Sequence, residues 1–242
     1  MTGVSTAKSI GARTAALEWK RIESSLDAVG FATTGPILTA AQCAQLIALY
    51  SERERFRSRI VMERQRYGVG EYKYFARPLP DIVAKLREAL YRKLLPTANR
   101  WASAMGQAAS YPSRLSEFTT ICAKSGQLRP TPLLLRYEAG GYNRLHQDLY
   151  GKIAFPLQFT CVLSRCGRDF DGGEFLLVEQ QPRAQSRGYS ITLGQGEGII
   201  FANSHRPIAG PRGFHRVTMR HGVSTLTSGV RYTLGIIFHD AA

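Results

Sequence analysis

The rhythm of apolar residues changes near residue 130 of this chain. Before that point they return every three or four positions, the spacing of one helix face. Thr39, a residue type that caps helix N-termini, precedes AAQCAQLIALYSERERF (residues 40–56) and predicts a first helix there. A second follows Pro80, with Asp81 in its first turn, and runs through IVAKLREALYRKLL (82–95). Pro96 is expected to break or kink it before ANRWASAMG (98–106), because proline lacks the amide proton that a helix interior uses. PSRLSEFTTICAKSG (112–126) supplies a third helix, ending at Gly126. GFATTGPIL (30–38) reads as a short strand or extended lead-in, and residues 1–29 as a flexible N-terminus.

After residue 130 the texture is different. LLLRYEA, FPLQFTCVLS, GEFLLVEQ, YSITLG, GIIFAN, HGVSTL and VRYTLGIIFH are short, rich in β-branched and aromatic residues, and separated by glycine-bearing turns. Such a series of strands indicates a sandwich or barrel. The expected architecture is one integrated α+β domain, with a mainly helical support region (30–129) covering a β-core (130–242).

Composition narrows the setting. A chain of 242 residues has ample length for a real core. No apolar run approaches the roughly 18 residues that a membrane helix needs, so no membrane partner is expected. Cys43, Cys122, Cys161 and Cys166 form no C-x-x-C pair and suggest no disulfide framework, which suits a reducing cytoplasm. The formal charge of +14 suits nucleic acid, an anionic surface or an acidic substrate, and equally an arginine-rich solvated surface.

The candidate chemistry lies in RLHQDLYG (144–151). On a strand, His146 and Asp148 would point the same way, with Gln147 opposite. Two histidines and one carboxylate make the facial triad of non-haem Fe(II) oxygenases, so a second histidine is the next question. HGVSTLTSGVRYTLGIIF reads as a hairpin turning at Thr227-Ser228-Gly229, with Leu226 opposite Val230 and Thr225 opposite Arg231. In that register His221 shares a face with Arg231 about 13 Å away, whereas His215 would lie about 34 Å away. His205 sits in the connection SHRPIAGPRG, and His239 follows the last strand. This reading favours His221. Arg231 offers a planar fork matched to a carboxylate, and Thr233 adds a hydroxyl on the same face.

His146-x-Asp148, then FDGGEF, then His221, then Arg231 within TSGVRYTL, in that order, resemble the 2-oxoglutarate and Fe(II)-dependent oxygenases, prolyl-4-hydroxylase-like branch. The resemblance covers about residues 130–242 and implies a double-stranded β-helix (jelly-roll) core with iron at one open end. It implies that His146, Asp148 and His221 bind Fe(II), that Arg231 and Thr233 hold the distal carboxylate of 2-oxoglutarate, and that Tyr137 reaches the same co-substrate. Gly172 and Gly173 are expected to form a turn beside the core. The implied activity is an O2-dependent dioxygenase reaction, with a protein (prolyl-type) or small-molecule hydroxylase as the favoured form.

The sequence departs from the family pattern between Phe201 and His221, where SHRPIAGPRGFHRVTMR is longer and more basic than usual. His205, Arg206, Arg216 and Arg220 are expected near the mouth of the site, with Arg212 beside them. An AlkB-type nucleic-acid demethylase is the alternative that the charge suits. That family carries a second arginine six residues after the first, where this chain has Ile237. A jelly-roll metal protein without catalysis, or a cupin acting without 2-oxoglutarate, is the alternative of another class, and it would leave Arg231 without a special partner.

Overall fold

The computed structural model describes residues 8–107, 110–211 and 213–242. Its helices are α1 (Ile10–Ala15), α2 (Trp19–Val29), α3 (Ala40–Ala48), α4 (Asp81–Ala104) and α5 (Leu115–Lys124). The strands of the first half are β1 (Phe31–Thr33), β2 (Phe56–Val61), β3 (Gly68–Val69) and β4 (Glu71–Phe75). Those of the second are β5 (Leu133–Glu138), β6 (Tyr142–His146), β7 (Leu157–Val162), β8 (Phe170–Gly172) and β9 (Phe175–Gln180). They continue with β10 (Arg187–Ile191), β11 (Gly198–Ala202), β12 (His205–Gly210), β13 (Gly213–Val223) and β14 (Leu226–Ile236).

Two antiparallel sheets face each other. The larger runs β1-β11-β7-β14-β5-β4-β2, with β8 also on β14; the smaller runs β10-β9-β13-β6-β3, with β12 also on β13. This is the α+β sandwich expected from the strand series and the jelly-roll that the resemblance implies. Helix α1 packs on α4, while α2 lies on β1, β11 and β12. A cluster of rings joins helix layer to sheet: Tyr91 on α4 lies 5.1 Å from Phe155 and 6.1 Å from Phe238, and Phe155 lies 5.0 Å from Phe238. Such pairs add about 0.5–1.5 kcal/mol each beyond the area they bury.

Several expectations are corrected. Residues 10–29 are two helices, not a flexible tail, because Ile10, Ile22 and Leu26 are buried in the main core; residues 1–7 lie outside the described residues. The first-half region is not only helical, since β1 to β4 join both sheets. Thr39 does start α3 through a reciprocal cap with Gln42 (3.2 and 3.1 Å), but the polar SERERF stretch leaves the helix and enters β2. Helix α4 continues through Pro96. Proline frees the carbonyl of Arg92, yet both residues are exposed, so water satisfies it while Leu90, Leu94, Ala98 and Trp101 hold the buried face.

The predicted terminal hairpin does not form. β13 belongs to the smaller sheet and β14 to the larger, so Ser224 and Thr225 carry the chain across the gap between sheets. Thr227-Ser228-Gly229 is not the turn: Ser228 pairs with Asp171 and Gly229 with Phe170, next to a bulge. Gly229 is required by close approach, since a Cβ there would come within 2.1 Å of the Asp169 carbonyl oxygen, and its φ is +74°.

The C-terminal tail is clamped beneath α4. Buried Arg87 donates to the carbonyls of Ile237 (3.0 Å) and Phe238 (2.6 Å) and pairs with buried Asp240 at 2.9 Å, to which Arg77 is also bonded. His239 is fully buried, and its Nδ1 accepts from the Phe155 amide at 3.2 Å. Burial pushes its pKa from the ordinary 6.5 down to about 4. The unfolded chain therefore takes up a proton near pH 6.5 that the folded chain refuses until about pH 4, so stability is complete above this window and declines as pH falls through it. We predict a decline of about 2 kcal/mol from this residue between pH 7 and pH 5. Urea unfolding of metal-free protein should show that His239→Gln flattens the slope relative to wild type; an identical slope would rule out His239 as its source.

Candidate active site

Strand β6 ends at His146, whose direct partner on β13 is His221. Paired residues on neighbouring strands project from the same face, and here the two imidazole centroids are 4.2 Å apart. Asp148 does not arrive by strand alternation, because the chain leaves the ladder after His146. The Gln147 amide instead stitches the departing chain to the carbonyls of Ser204 (2.8 Å) and Met219 (2.9 Å). The Asp148 carboxylate then lies 3.3 Å from His221 Nε2 and 3.6 Å from His146 Nε2.

One ligand atom from each of these three residues lies within 4.8 Å of the others. Donors bonded at about 2.1 Å to one ion and at right angles would stand about 3 Å apart, close to the spacings seen. The tautomer also fits. His146 Nδ1 is 2.7 Å from the Arg144 carbonyl, which can only accept, so the proton sits on Nδ1 and Nε2 keeps a lone pair toward Asp148. Burial alone would raise the pKa of Asp148; the hydrogen bond and charge of His221, with His146 and the Tyr150 hydroxyl, outweigh it and hold the carboxyl well below the usual range. Burial and the adjacent His146 push His221 the other way, toward the neutral ring that a metal requires. Phe201 and Phe175, with centroids 4.7 and 5.9 Å from His221, wall that ring in.

These residues open on a cavity of about 540 Å³ that also contains Tyr137, Arg231 and Thr233. Arg231 is opposite Tyr137 across the β14–β5 ladder, and Thr233 follows on the same face. Arg231 is 2% exposed, has no carboxylate within salt-bridge distance among the described residues, and keeps Nε and Nη1 without partners. The buried hydroxyls of Thr233 and Tyr137 are also without hydrogen bonds. An isolated buried cation is costly, and a ring of unused donors around it is complementary to a carboxylate that enters from solution. Gly173 serves this arrangement from behind: a Cβ there would meet Leu226 at 2.5 Å and the Arg231 Cδ at 3.2 Å. The expected turn at this glycine pair is corrected: Gly172 ends strand β8 opposite Leu226, and Gly173 follows it with a positive φ on the way to β9.

The expected mouth is corrected. Residues 205–223 form the β12–β13 hairpin of the smaller sheet, paired from His205↔Thr218 to Gly210↔Gly213. None of His205, Arg206, Arg216 and Arg220 lines the cavity. Arg206 is consumed inside the protein by buried Glu179 (2.6 Å) and the Asp27 carbonyl (3.1 Å). Arg216 donates to the Met105 carbonyl at 3.2 Å, His205 is half-buried beside Ser204, and Arg220 is exposed elsewhere; Arg212 lies outside the described residues. Arg66, Tyr67, Tyr72, Arg144 and Leu149 border the cavity instead. The first three come from the β2–β4 segment, which lies within the region expected to be mainly helical. Tyr150 was within the quoted RLHQDLYG, two positions after Asp148, and its hydroxyl donates to Asp148 Oδ1 at 2.6 Å.

Comparison with known proteins agrees with this geometry. Residues 70–241 match the Oxygenase-NA family, described as an oxygenase catalysing oxidative methylation of damaged DNA. An uncharacterized protein of Mycobacterium tuberculosis is 48% identical over 168 residues, covering 69% of this chain and 72% of the relative. Among solved structures, a Trichoplax adhaerens prolyl hydroxylase in complex with a hypoxia inducible factor peptide fragment superposes with a TM-score of 0.60 at 12% identity, over 96% of this chain and 93% of that one. A Burkholderia pseudomallei oxidoreductase of the 2OG-Fe(II) oxygenase family gives 0.56 at 16% identity, over 93% of each chain. A Pseudomonas putida prolyl-4-hydroxylase gives 0.55 at 12% identity, over 93% and 99%. At such identities the superpositions speak for the fold, while the family match spans well over half of the chain. This chain therefore belongs to the Oxygenase-NA family of oxygenases, and its fold is the one shared by prolyl-4-hydroxylases and a 2OG-Fe(II) oxygenase.

Proposed function

We propose that His146, Asp148 and His221 hold the Fe(II), and that Arg231, Thr233 and Tyr137 seat the distal carboxylate of 2-oxoglutarate. The observation that carries this reading is the pairing, in one cavity, of a three-residue ligand cluster with a buried guanidinium that has no acid of its own. When bound, Fe(II) and 2-oxoglutarate supply O2 activation: one oxygen atom enters the substrate, and 2-oxoglutarate leaves as succinate and CO2. The chain's own residues orient and exclude. The Arg231 fork fixes the co-substrate's direction in the cavity, Thr233 and Tyr137 complete its hydrogen bonds, and Phe175 and Phe201 keep water from the His221 side.

For the substrate, we favour an N-methylated base in nucleic acid. The family description supports it, as do Arg66, Arg144 and Tyr67 at the cavity border and the charge of +14. Hydroxylation of such a methyl group gives N–CH2OH, which releases formaldehyde and leaves N–H, so the oxidative step ends in demethylation. Peptidyl hydroxylation is the second reading, supported by the fold shared with prolyl hydroxylases. The deciding experiment incubates the protein with Fe(II), 2-oxoglutarate and a single-stranded oligonucleotide carrying 1-methyladenine. Formaldehyde release with restored adenine is expected. No turnover on the oligonucleotide, together with a one-oxygen gain in lysate peptides, would transfer the assignment to the second reading.

Two further outcomes test the residues. His221→Ala should lose most Fe(II) binding, whereas His215→Ala, an exposed residue six positions away on β13, should retain it; equal binding by both variants would remove His221 from the ligand set. Arg231→Lys keeps the charge and loses the fork. Hydrogen bonds to charged groups are worth about 1.5–3 kcal/mol, so 2-oxoglutarate binding should weaken about tenfold or more, with iron affinity nearly unchanged. Anaerobic titration of 2-oxoglutarate, followed by the absorption band of its iron complex, reads this directly; an unchanged midpoint would detach Arg231 from the co-substrate.

A further inference from the structure

We infer that Tyr150 is a positioning residue for Asp148: its hydroxyl ties up one carboxylate oxygen and presents the other to the metal. The inference rests on the metal site proposed above. A free carboxylate turns about a broad terminal torsion and can offer either oxygen or both. Here the two oxygens are not equivalent. Oδ1 accepts from the Tyr150 hydroxyl at 2.6 Å, the length of a charge-assisted O–H···O bond, and lies 3.6 Å from His146 Nε2, while Oδ2 faces His221 Nε2 at 3.3 Å with no hydroxyl upon it. The hydrogen bond occupies a lone pair of Oδ1 and so leaves Oδ2 the stronger donor of the two.

A hydroxyl can impose such a choice only if it is itself immobile. Residues 147–156 contain no helix or strand, yet Tyr150 is held on several sides. Its ring meets Tyr74 edge-on at 6.2 Å and lies 6.1 Å from His239. Its carbonyl accepts from the backbone amide of Ala242 at 3.0 Å, so the chain terminus straps the segment down. The next residue is glycine because the Gln127 side chain occupies the space: a Cβ on Gly151 would lie 2.4 Å from Gln127 Cδ. That same Gln127 amide brackets Ile153, accepting from its N–H at 2.8 Å and donating to its carbonyl at 2.9 Å. Asp148 thus sits between the end of β6 and a phenol anchored to the C-terminus. The alternative is that Tyr150 only fills space beside Tyr74, in which case phenylalanine would serve as well.

The test uses full-length, chelator-treated protein and Co(II), whose visible absorption reports the ligand field. Wild type, Tyr150→Phe and Tyr74→Phe are compared for Co(II) affinity, band shape and metal-free melting temperature. Loss of a group that orients a metal ligand typically weakens affinity 10- to 100-fold. Tyr150→Phe should show a loss of about that size and an altered Co(II) band, with the metal-free melting temperature lowered by no more than one lost hydrogen bond accounts for, while Tyr74→Phe matches wild type throughout. Wild-type affinity and band shape in Tyr150→Phe would overturn the inference and leave the triad standing. So would a weakening that Tyr74→Phe shares, since that is a packing effect. Failure of the wild type to bind Co(II) would overturn the metal site itself and this inference with it.

Discussion

An antiparallel ladder that sets His146 of β6 opposite His221 of β13 governs where chemistry can occur in this chain. Opposed residues on such a ladder stand about 4.5–5.5 Å apart, too close for two charged imidazoles and suited to two neutral ones that share an ion. The third donor of the proposed ligand set comes from outside the ladder. The chain leaves β6 after His146 and folds Asp148 back over both rings. Everything that anchors residues 147–156, from the Gln147 amide to the C-terminal strap, follows from the need to hold that return.

The same arrangement makes the interior between the sheets expensive. Arg231, Thr233, Tyr137, His221 and Gln158 are all buried with polar atoms unpaired, and each such atom costs about 1–3 kcal/mol until a partner arrives. Stability has to come from elsewhere in the fold. It comes from the apolar layer in which α2 and α4 cover the sheet, and from the aromatic cluster of Tyr91, Phe155 and Phe238. Buried ion pairs such as Arg87–Asp240 and Arg206–Glu179 add little net energy, since desolvation offsets their attraction, but breaking one is severe. Their effect is to fix how tail and sheet meet the helices. The cavity thus sets a few unpaired polar groups into a wall that it shares with core residues such as Phe159, Phe175 and Phe201.

Much of this was legible in the sequence. The change of rhythm near residue 130 separates most helices from most strands, and the Thr39 cap and the helix end before Gly126 stand where the residue types put them. His146, Asp148, His221, Arg231, Thr233 and Tyr137 all border one cavity. The route to His221 was nonetheless faulty. It used a hairpin across Gly229, while His221 and Arg231 belong to different sheets. Both orient inward for a reason local periodicity does not contain, namely that two sheets share one interior. The glycine was ambiguous because a left-handed turn and a close backbone approach call for the same residue. Strands β2 and β4 were hidden by their charges; β2 forms the edge of the larger sheet, where a polar strand is tolerated, and β4 lies next to it.

The basic residues show most clearly where charge counting stops. SHRPIAGPRGFHRVTMR has the composition of a polyanion-binding loop, but it is a hairpin, and Arg206 within it is spent on Glu179 and the Asp27 carbonyl. A net charge of +14 can speed the approach of an anionic substrate over the whole surface. It cannot align a reacting group in the cavity, because that requires directional contacts at short range. The cavity supplies one in Gln158, which is 3% exposed and keeps its amide Nε2 without a partner. Gln158 pairs across the ladder with Phe201, whose ring packs on His221, so this unused donor stands at the level of the ligand cluster. Long-range charge and short-range fit are therefore carried by different residues, and only the second kind can distinguish one substrate from another.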